Sequence, residues 1–249
     1  MAYIRCDYSS QMLKMNTSMI VLLPDLVELS EIDVVYLLHG LTDNCTGWTR
    51  FSAVERYARE HGVAVIMPEV QRSFYTDMEL GVNYFSYILK ELPEFCHRTF
   101  GLSRKREHNF IMGLSMGGYG ALKCAFTAPE QFAGCASFSA VTDIAGRVER
   151  APQCEKDEFQ AIFGEQLKVP ESCDLFALAR KASPEAMPRL FMTCGEQDTL
   201  YPENVRLAQM LKAGGFNASF DHWEGVHSWD FWDRSVKMAM DALLPQANG

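Results

Sequence analysis

The sequence predicts an α/β fold of about eight mostly parallel strands with helices on both faces. Three observations carry that expectation. Two short segments, Val34–Leu38 and Val63–Met67, are apolar at every position, the pattern of a strand buried on both faces. β-prone runs and helix-patterned runs alternate along most of the chain, as in repeated strand–helix–strand units. The length of 249 residues, 48% of them hydrophobic, suits a single domain spanning 1–249 with a large core.

The elements follow in order. Ala2–Tyr8 and Ser18–Leu23, the second stopped by Pro24-Asp25, leave no room for a helix between them and read as an antiparallel start to the sheet. Val34–Leu38 is a buried strand ending at His39-Gly40. Ser52-x-x-Glu55 has the spacing of a capping box, with Ala53, Val54, Tyr57 and Ala58 at helical positions and His61-Gly62 as the stop. Val63–Met67 is the next strand. Tyr84 to about Phe100 reads as a helix interrupted or kinked around Pro93. Phe110–Met112 is a short strand, Met116–Ala128 a helix ended by Pro129, and Cys135–Phe138 another strand.

From about Val141 to Pro188 the alternation breaks down in a charged stretch that also carries Pro152, Pro170 and Pro184. This is read as a small cap insertion, about 141–188, with one or two short helices, Leu175–Lys181 being the clearest. Leu190–Cys194, a helix over Glu203–Ala213 stopped by Gly214-Gly215, Ala218–Trp223 and a helix over Phe231–Leu244 complete the pattern.

Composition narrows the function classes. Lys and Arg number 23 against 32 Asp and Glu, a net charge of -9, which repels phosphate backbones and anionic lipid. The basic run Arg104-Lys105-Arg106 is diluted at once by Glu107 and reads as a solvated loop. Nucleic acid and membrane are therefore not expected partners, and no apolar run approaches the roughly twenty residues a membrane helix needs. The N-terminus lacks the apolar stretch of a secretory signal. The eight cysteines are scattered, with no C-x-x-C, so a reduced, cytoplasmic protein is expected. Homo-oligomerisation is left open.

Gly113-Leu114-Ser115-Met116-Gly117 matches G-x-S-x-G, and its setting between an expected strand and an expected helix is what gives a short motif meaning. Such a tight turn exposes the serine hydroxyl, while glycines on either side let strand and helix backbones pass closely. A serine needs a base, and in this arrangement acid and base follow it in chain order. Two histidines lie downstream, His222 inside a strand and His227 in the loop after it; the loop position favours His227. The acid is expected after Leu190–Cys194, where Asp198 is chosen with Glu196 in reserve. Its task is to hold the imidazole and stabilise its charged form. Backbone N–H groups of Leu41, after the Gly40 turn, and Met116 are the candidate oxyanion donors. Trp48, Phe74, Tyr75 and Trp229 are candidate pocket walls. His39 reads as structural. Neither H-E-x-x-H nor zinc-like cysteine spacing occurs, so no metal is expected. No G-x-G-x-x-G opens a strand–helix unit, which disfavours a dehydrogenase.

His39-Gly40-Leu41-Thr42, Gly113 to Ala121, Cys194-Gly195-Glu196-Gln197-Asp198 and His227-Ser228-Trp229 together resemble the esterase D group of α/β-hydrolases, within it most of all the small bacterial tributyrin esterases. S-formylglutathione hydrolases and feruloyl esterases are more distant relatives in that resemblance. It implies an α/β-hydrolase fold, hydrolysis of small-molecule esters with short acyl chains, no cofactor, and the triad Ser115, Asp198 and His227. Alternatives with the same residues are a formylglutathione-type thioesterase or a feruloyl or acetyl-carbohydrate esterase. Residues around the acid and base differ from the formylglutathione branch. A binding module on a hydrolase scaffold is the non-enzymatic alternative, although such a module usually lacks part of the machinery.

Overall fold

In the computed structural model, which describes residues 1–25 and 28–244, the chain opens with a hairpin of β1 (Ala2–Ser10) and β2 (Met15–Leu23), antiparallel, with Ala2 opposite Leu23. β3 (Val34–Leu38), β4 (Ala64–Pro68), β5 (Asn109–Leu114), β6 (Gly134–Phe138), β7 (Arg189–Gly195) and β8 (Ala218–Trp223) follow. All eight join one sheet in the order β1-β2-β4-β3-β5-β6-β7-β8. β2 meets β4 antiparallel, and every pair from β4 to β8 is parallel. This is the α/β-hydrolase fold.

The helices are α1 (Gly47–Phe51), α2 (Val54–His61), α3 (Tyr84–Ser86), α4 (Leu92–Phe100), α5 (Met116–Thr127), α6 (Ile144–Glu149), α7 (Gln153–Phe163), α8 (Leu175–Lys181), α9 (Tyr201–Ala213) and α10 (Trp229–Leu243). The apolar strands serve two cores at once. Val34, Tyr36 and Leu38 of β3 join the core that includes Tyr119 and Leu122 of α5 and Leu207 of α9. Val35 and Leu37 join the one that includes Trp48 of α1, Tyr57 of α2 and Val236 of α10. Successive strand side chains point to opposite faces, so a strand covered on both must be apolar throughout. Among the described residues no helix is long and apolar enough to cross a membrane.

Three local readings change. The Ser52 capping box does not form. Ala53 is the N-cap of α2, Ser52 Oγ donates back to the Trp48 carbonyl at 2.5 Å, and the Ala53 N–H is taken by Asp233 of α10 at 2.8 Å. The Tyr84–Phe100 helix takes its interruption as a π segment over Tyr87–Glu91, in the turn before Pro93. Pro93 lacks the N–H that would close an ordinary turn on Leu89, so the turn before it widens. The segment between β6 and β7 holds three α-helices rather than one or two. Asp143 and Asp174 cap two of them through the Gly146 and Phe176 N–H groups, both at 2.9 Å.

The sheet order decides where a site forms. β4 lies on one side of β3 and β5 on the other, so the loops leaving the C-terminal ends of β3 and β5 diverge and leave a crevice there. Register places Leu38 beside Gly113 and Gly113 beside Ser137, which brings the His39–Asp43 loop against the turn at Ser115.

Candidate active site

Ser115 joins β5 to α5 with φ 53° and ψ -114°, a conformation L-residues avoid and surrounding structure must enforce. Three bonds hold it. Its N–H donates to the Phe138 carbonyl at 2.8 Å, and its carbonyl accepts from Tyr119 at 3.1 Å and Val141 at 3.3 Å. The flanking glycines are required by contact with backbone. A Cβ on Gly113 would lie 2.4 Å from the Gly117 carbonyl, and one on Gly117 would lie 2.4 Å from the Leu38 carbonyl oxygen. Helix α5 can therefore press against β3 and β5 only through bare backbone.

Although Ser115 occupies the N-cap position, its hydroxyl makes no capping bond. It lies 3.0 Å from His227 Nε2, while His227 Nδ1 lies 2.7 Å from Asp198 Oδ2. The chain thus brings together Ser115 after β5, Asp198 after β7 and His227 after β8. The Asp198 side chain is fully buried, and its other oxygen accepts the Leu200 N–H at 2.9 Å. Burial works against ionisation of Asp198, but the His227 hydrogen bond and charge, with the Leu200 N–H, outweigh it and hold the carboxyl below its ordinary value.

That direction sets a pH test. A carboxyl with a depressed folded pKa contributes stability above its unfolded value of about 3.9, and the contribution disappears as pH falls through the lower folded value. The stability difference between wild type and Asp198→Asn, from urea unfolding, is expected to shrink steadily as pH falls below about 4. A difference that stays constant down to pH 2 would exclude the ionised Asp198 as its source.

The less favoured base, His222, and the reserve acid, Glu196, bond to each other. His222 Nδ1 meets Glu196 Oε1 at 2.8 Å, with both side chains exposed, and neither bonds to Ser115, His227 or Asp198. His39 is 1% exposed. Its Nδ1–H donates to the Gly40 carbonyl at 2.8 Å and its Nε2 accepts the Val70 N–H at 3.2 Å, so it braces the loop after β3. The Gly40 carbonyl accepts the Asp43 N–H at 3.2 Å to close a turn.

A cavity of about 300 Å³ opens over Ser115 and His227, and Leu41, Met116 and Phe74 line it. Of the four aromatic residues expected as walls, Phe74 alone is one. Trp48 is buried beneath, its indole N–H donating to the Leu38 carbonyl at 3.1 Å. Tyr75 is fully buried, its hydroxyl donating to the His39 carbonyl at 2.9 Å. Trp229 packs edge-on against Trp48, with centroids 5.2 Å apart, and against Phe51. Core packing claims these three. The sequence reading missed Trp232 and Arg147, both of which line the cavity. Trp232 stands at 87° to the His227 ring, 4.7 Å between centroids, and its signal was its place in the first turn of the helix after the histidine loop. Arg147 comes from α6, ion-paired with Glu155 and over the Phe159 ring at 5.6 Å. Among the described residues no group of three or more His, Cys, Asp or Glu is arranged to hold a metal.

Residues 10–242 match the family model described as "Putative esterase". The acetyl esterase of Caldicellulosiruptor saccharolyticus is 32% identical, with 97% of each chain covered. Among solved structures, the fluorophosphonate-binding serine hydrolase FphF of Staphylococcus aureus, substrate bound, is 34% identical over 98% of each chain with a TM-score of 0.90. The S-formylglutathione hydrolase FrmB of the same organism is also 34% identical, over 98% of this chain and 99% of that one, with a TM-score of 0.87.

Proposed function

This chain belongs to the esterase family and is a carboxylic ester hydrolase, and from that premise we propose that it cleaves short-chain acyl esters through an acyl-enzyme on Ser115. The observation that carries the proposal is the unbroken relay from Ser115 Oγ through His227 to the buried Asp198, with its serine end in a cavity. His227 Nε2 takes the hydroxyl proton as Ser115 Oγ bonds to the ester carbon, and Asp198 stabilises the resulting imidazolium. The developing oxyanion is received by the N–H groups of Leu41 and Met116. Neither N–H has an acceptor among the described residues, and donors of this kind contribute about 3–4 kcal/mol each when aimed at the transition state. His227 then gives the proton to the leaving alcohol. Water repeats the sequence on the acyl-enzyme, releasing the acid and restoring Ser115. No step requires a cofactor.

The size of the cavity argues for short chains, since about 300 Å³ is the lower end of what small-molecule pockets offer. Each methylene that fits contributes at most about 0.8 kcal/mol, near fourfold in kcat/KM, and the first that does not fit reverses the trend. Acetyl to butyryl esters of p-nitrophenol are expected to be cleaved well and palmitoyl esters hardly at all. Equal or greater kcat/KM at twelve or more carbons would refute short-chain preference.

A second reading, thioester hydrolysis with the same residues, is favoured by the likeness to the staphylococcal S-formylglutathione hydrolase. A glutathione thioester turned over far faster than any oxygen ester would establish it. As part of the same proposal, 1–249 is one domain with an insertion at about 141–188, and the protein is cytoplasmic. The six buried cysteines, all free, support the latter because they pack as small apolar side chains.

A further inference from the structure

Lys123 lies on α5, two turns beyond Ser115, and is 2% exposed. Its Nζ is 4.4 Å from the centre of the Phe85 ring and 5.7 Å from that of Tyr119. Among the described residues it has no carboxylate within ion-pairing distance. A buried cation of this kind is costly, and an apolar side chain of the same length would fill the space without that cost. Its hydrogen bonds indicate what the charge does. Nζ donates to the Tyr75 carbonyl and to Thr76 Oγ1, each at 3.1 Å. Thr76 Oγ1 in turn donates to the Phe74 carbonyl at 2.8 Å. One ammonium thus holds two successive carbonyls, one directly and one through a hydroxyl.

Those carbonyls belong to an unusual pair. Phe74 has φ 46° and Tyr75 φ 47°, two adjacent aromatic residues in the left-handed region, where side chains other than glycine are strained. Such a turn persists only when its surroundings over-determine it. The Ser73 hydroxyl accepts the Tyr75 N–H at 3.1 Å, and Lys123 grips the other side. Helix α5 also makes room for the turn, since a Cβ on Gly120 would come within 2.5 Å of the Tyr75 ring. Two parts of the site depend on this pair. The Phe74 side chain lines the cavity at Ser115, and the Tyr75 hydroxyl holds the His39 carbonyl at 2.9 Å, next to the Gly40–Leu41 turn.

We propose that Lys123 is a positioning residue for ester hydrolysis: its buried ammonium clamps the Phe74–Tyr75 turn to the helix that carries Ser115, and thereby fixes both a cavity wall and the loop that presents Leu41. This rests on the serine-esterase reading above. Small displacements of reacting groups cost up to about a hundredfold in rate. Lys123→Met keeps the stem and removes the charge and its donors. It is expected to lower kcat/KM for p-nitrophenyl butyrate by about tenfold to a hundredfold, with most of the loss in kcat. It is also expected to speed amide hydrogen exchange in residues 73–77 and 40–43.

Tyr75→Phe, which removes only the bond to His39, should act in the same direction, and the double variant should be no worse than the more impaired single one. Additive losses would mean that Lys123 does not act through Tyr75, and unchanged exchange with unchanged kcat would leave it a space-filling residue; either result overturns the proposal. Should Lys123→Met fail to fold, Thr76→Val removes one of its acceptors and the relay to Phe74, and wild-type kcat in that variant overturns the proposal equally. If the wild-type protein proves unable to hydrolyse esters, the functional reading falls, while the exchange comparison still decides for or against the clamp.

Discussion

Replacing Ser115 by alanine is expected to reduce kcat/KM by about 10⁴–10⁶-fold and to leave the fold intact. In the proposed mechanism the hydroxyl supplies the bond-forming atom, so its loss removes the covalent route altogether. What remains is the contribution of bound water, the oxyanion donors and substrate orientation. The structural cost is small because, among the described residues, Ser115 Oγ bonds only to His227, and the strained backbone is held by main-chain bonds that alanine keeps. Alanine tolerates the positive φ no worse than serine does. The same variant is expected to lose labelling by a fluorophosphonate probe, which reads the nucleophile independently of turnover. Labelling of the wild type at any other serine would move the nucleophile.

Asp198→Asn is expected to cost about 10⁴-fold in kcat, whereas Glu196→Gln costs little. The two carboxylates stand two residues apart on one loop, yet their surroundings differ. Asp198 is sealed from solvent against His227 Nδ1. An amide there presents either a weaker acceptor or, after rotation, an N–H that forces the imidazole into the tautomer unable to take the Ser115 proton. Glu196 is exposed and occupied with His222, and a solvent-exposed pair contributes about 1 kcal/mol or less to stability. Steady-state kinetics of the two variants on one butyryl ester separate them, and the reverse ranking would assign the acid to Glu196.

Much of this arrangement is legible in the amino-acid sequence because it is carried by local constraints. Continuous apolar runs show which strands are covered twice, and His61-Gly62 and Pro129 mark where elements stop. Chain order after the Gly113–Gly117 turn leaves few positions for partners of Ser115. Less legible is whatever depends on a second element arriving from elsewhere. Ala53 rather than Ser52 caps α2 because Asp233, 180 residues away, takes its N–H. Trp48, Tyr75 and Trp229 stand close to the site, but Trp48 and Tyr75 are buried in the core and Trp229 packs on Trp48 and Phe51, contacts that their places in the sequence do not show. Arg147 lies in the segment where the periodic pattern fails, so nothing in that stretch marked it as a cavity wall.

The order in which the relay's members occur along the chain has a consequence for synthesis. Ser115 and Asp198 belong to loops after β5 and β7, but His227 follows β8, the strand that closes the far edge of the sheet. A ribosome-bound chain therefore carries Ser115 long before His227, its proposed base, has been made. Esterase activity should therefore appear abruptly, once β8, the His227 loop and α10 have been made and have docked, and a chain stopped before β8 should stay silent.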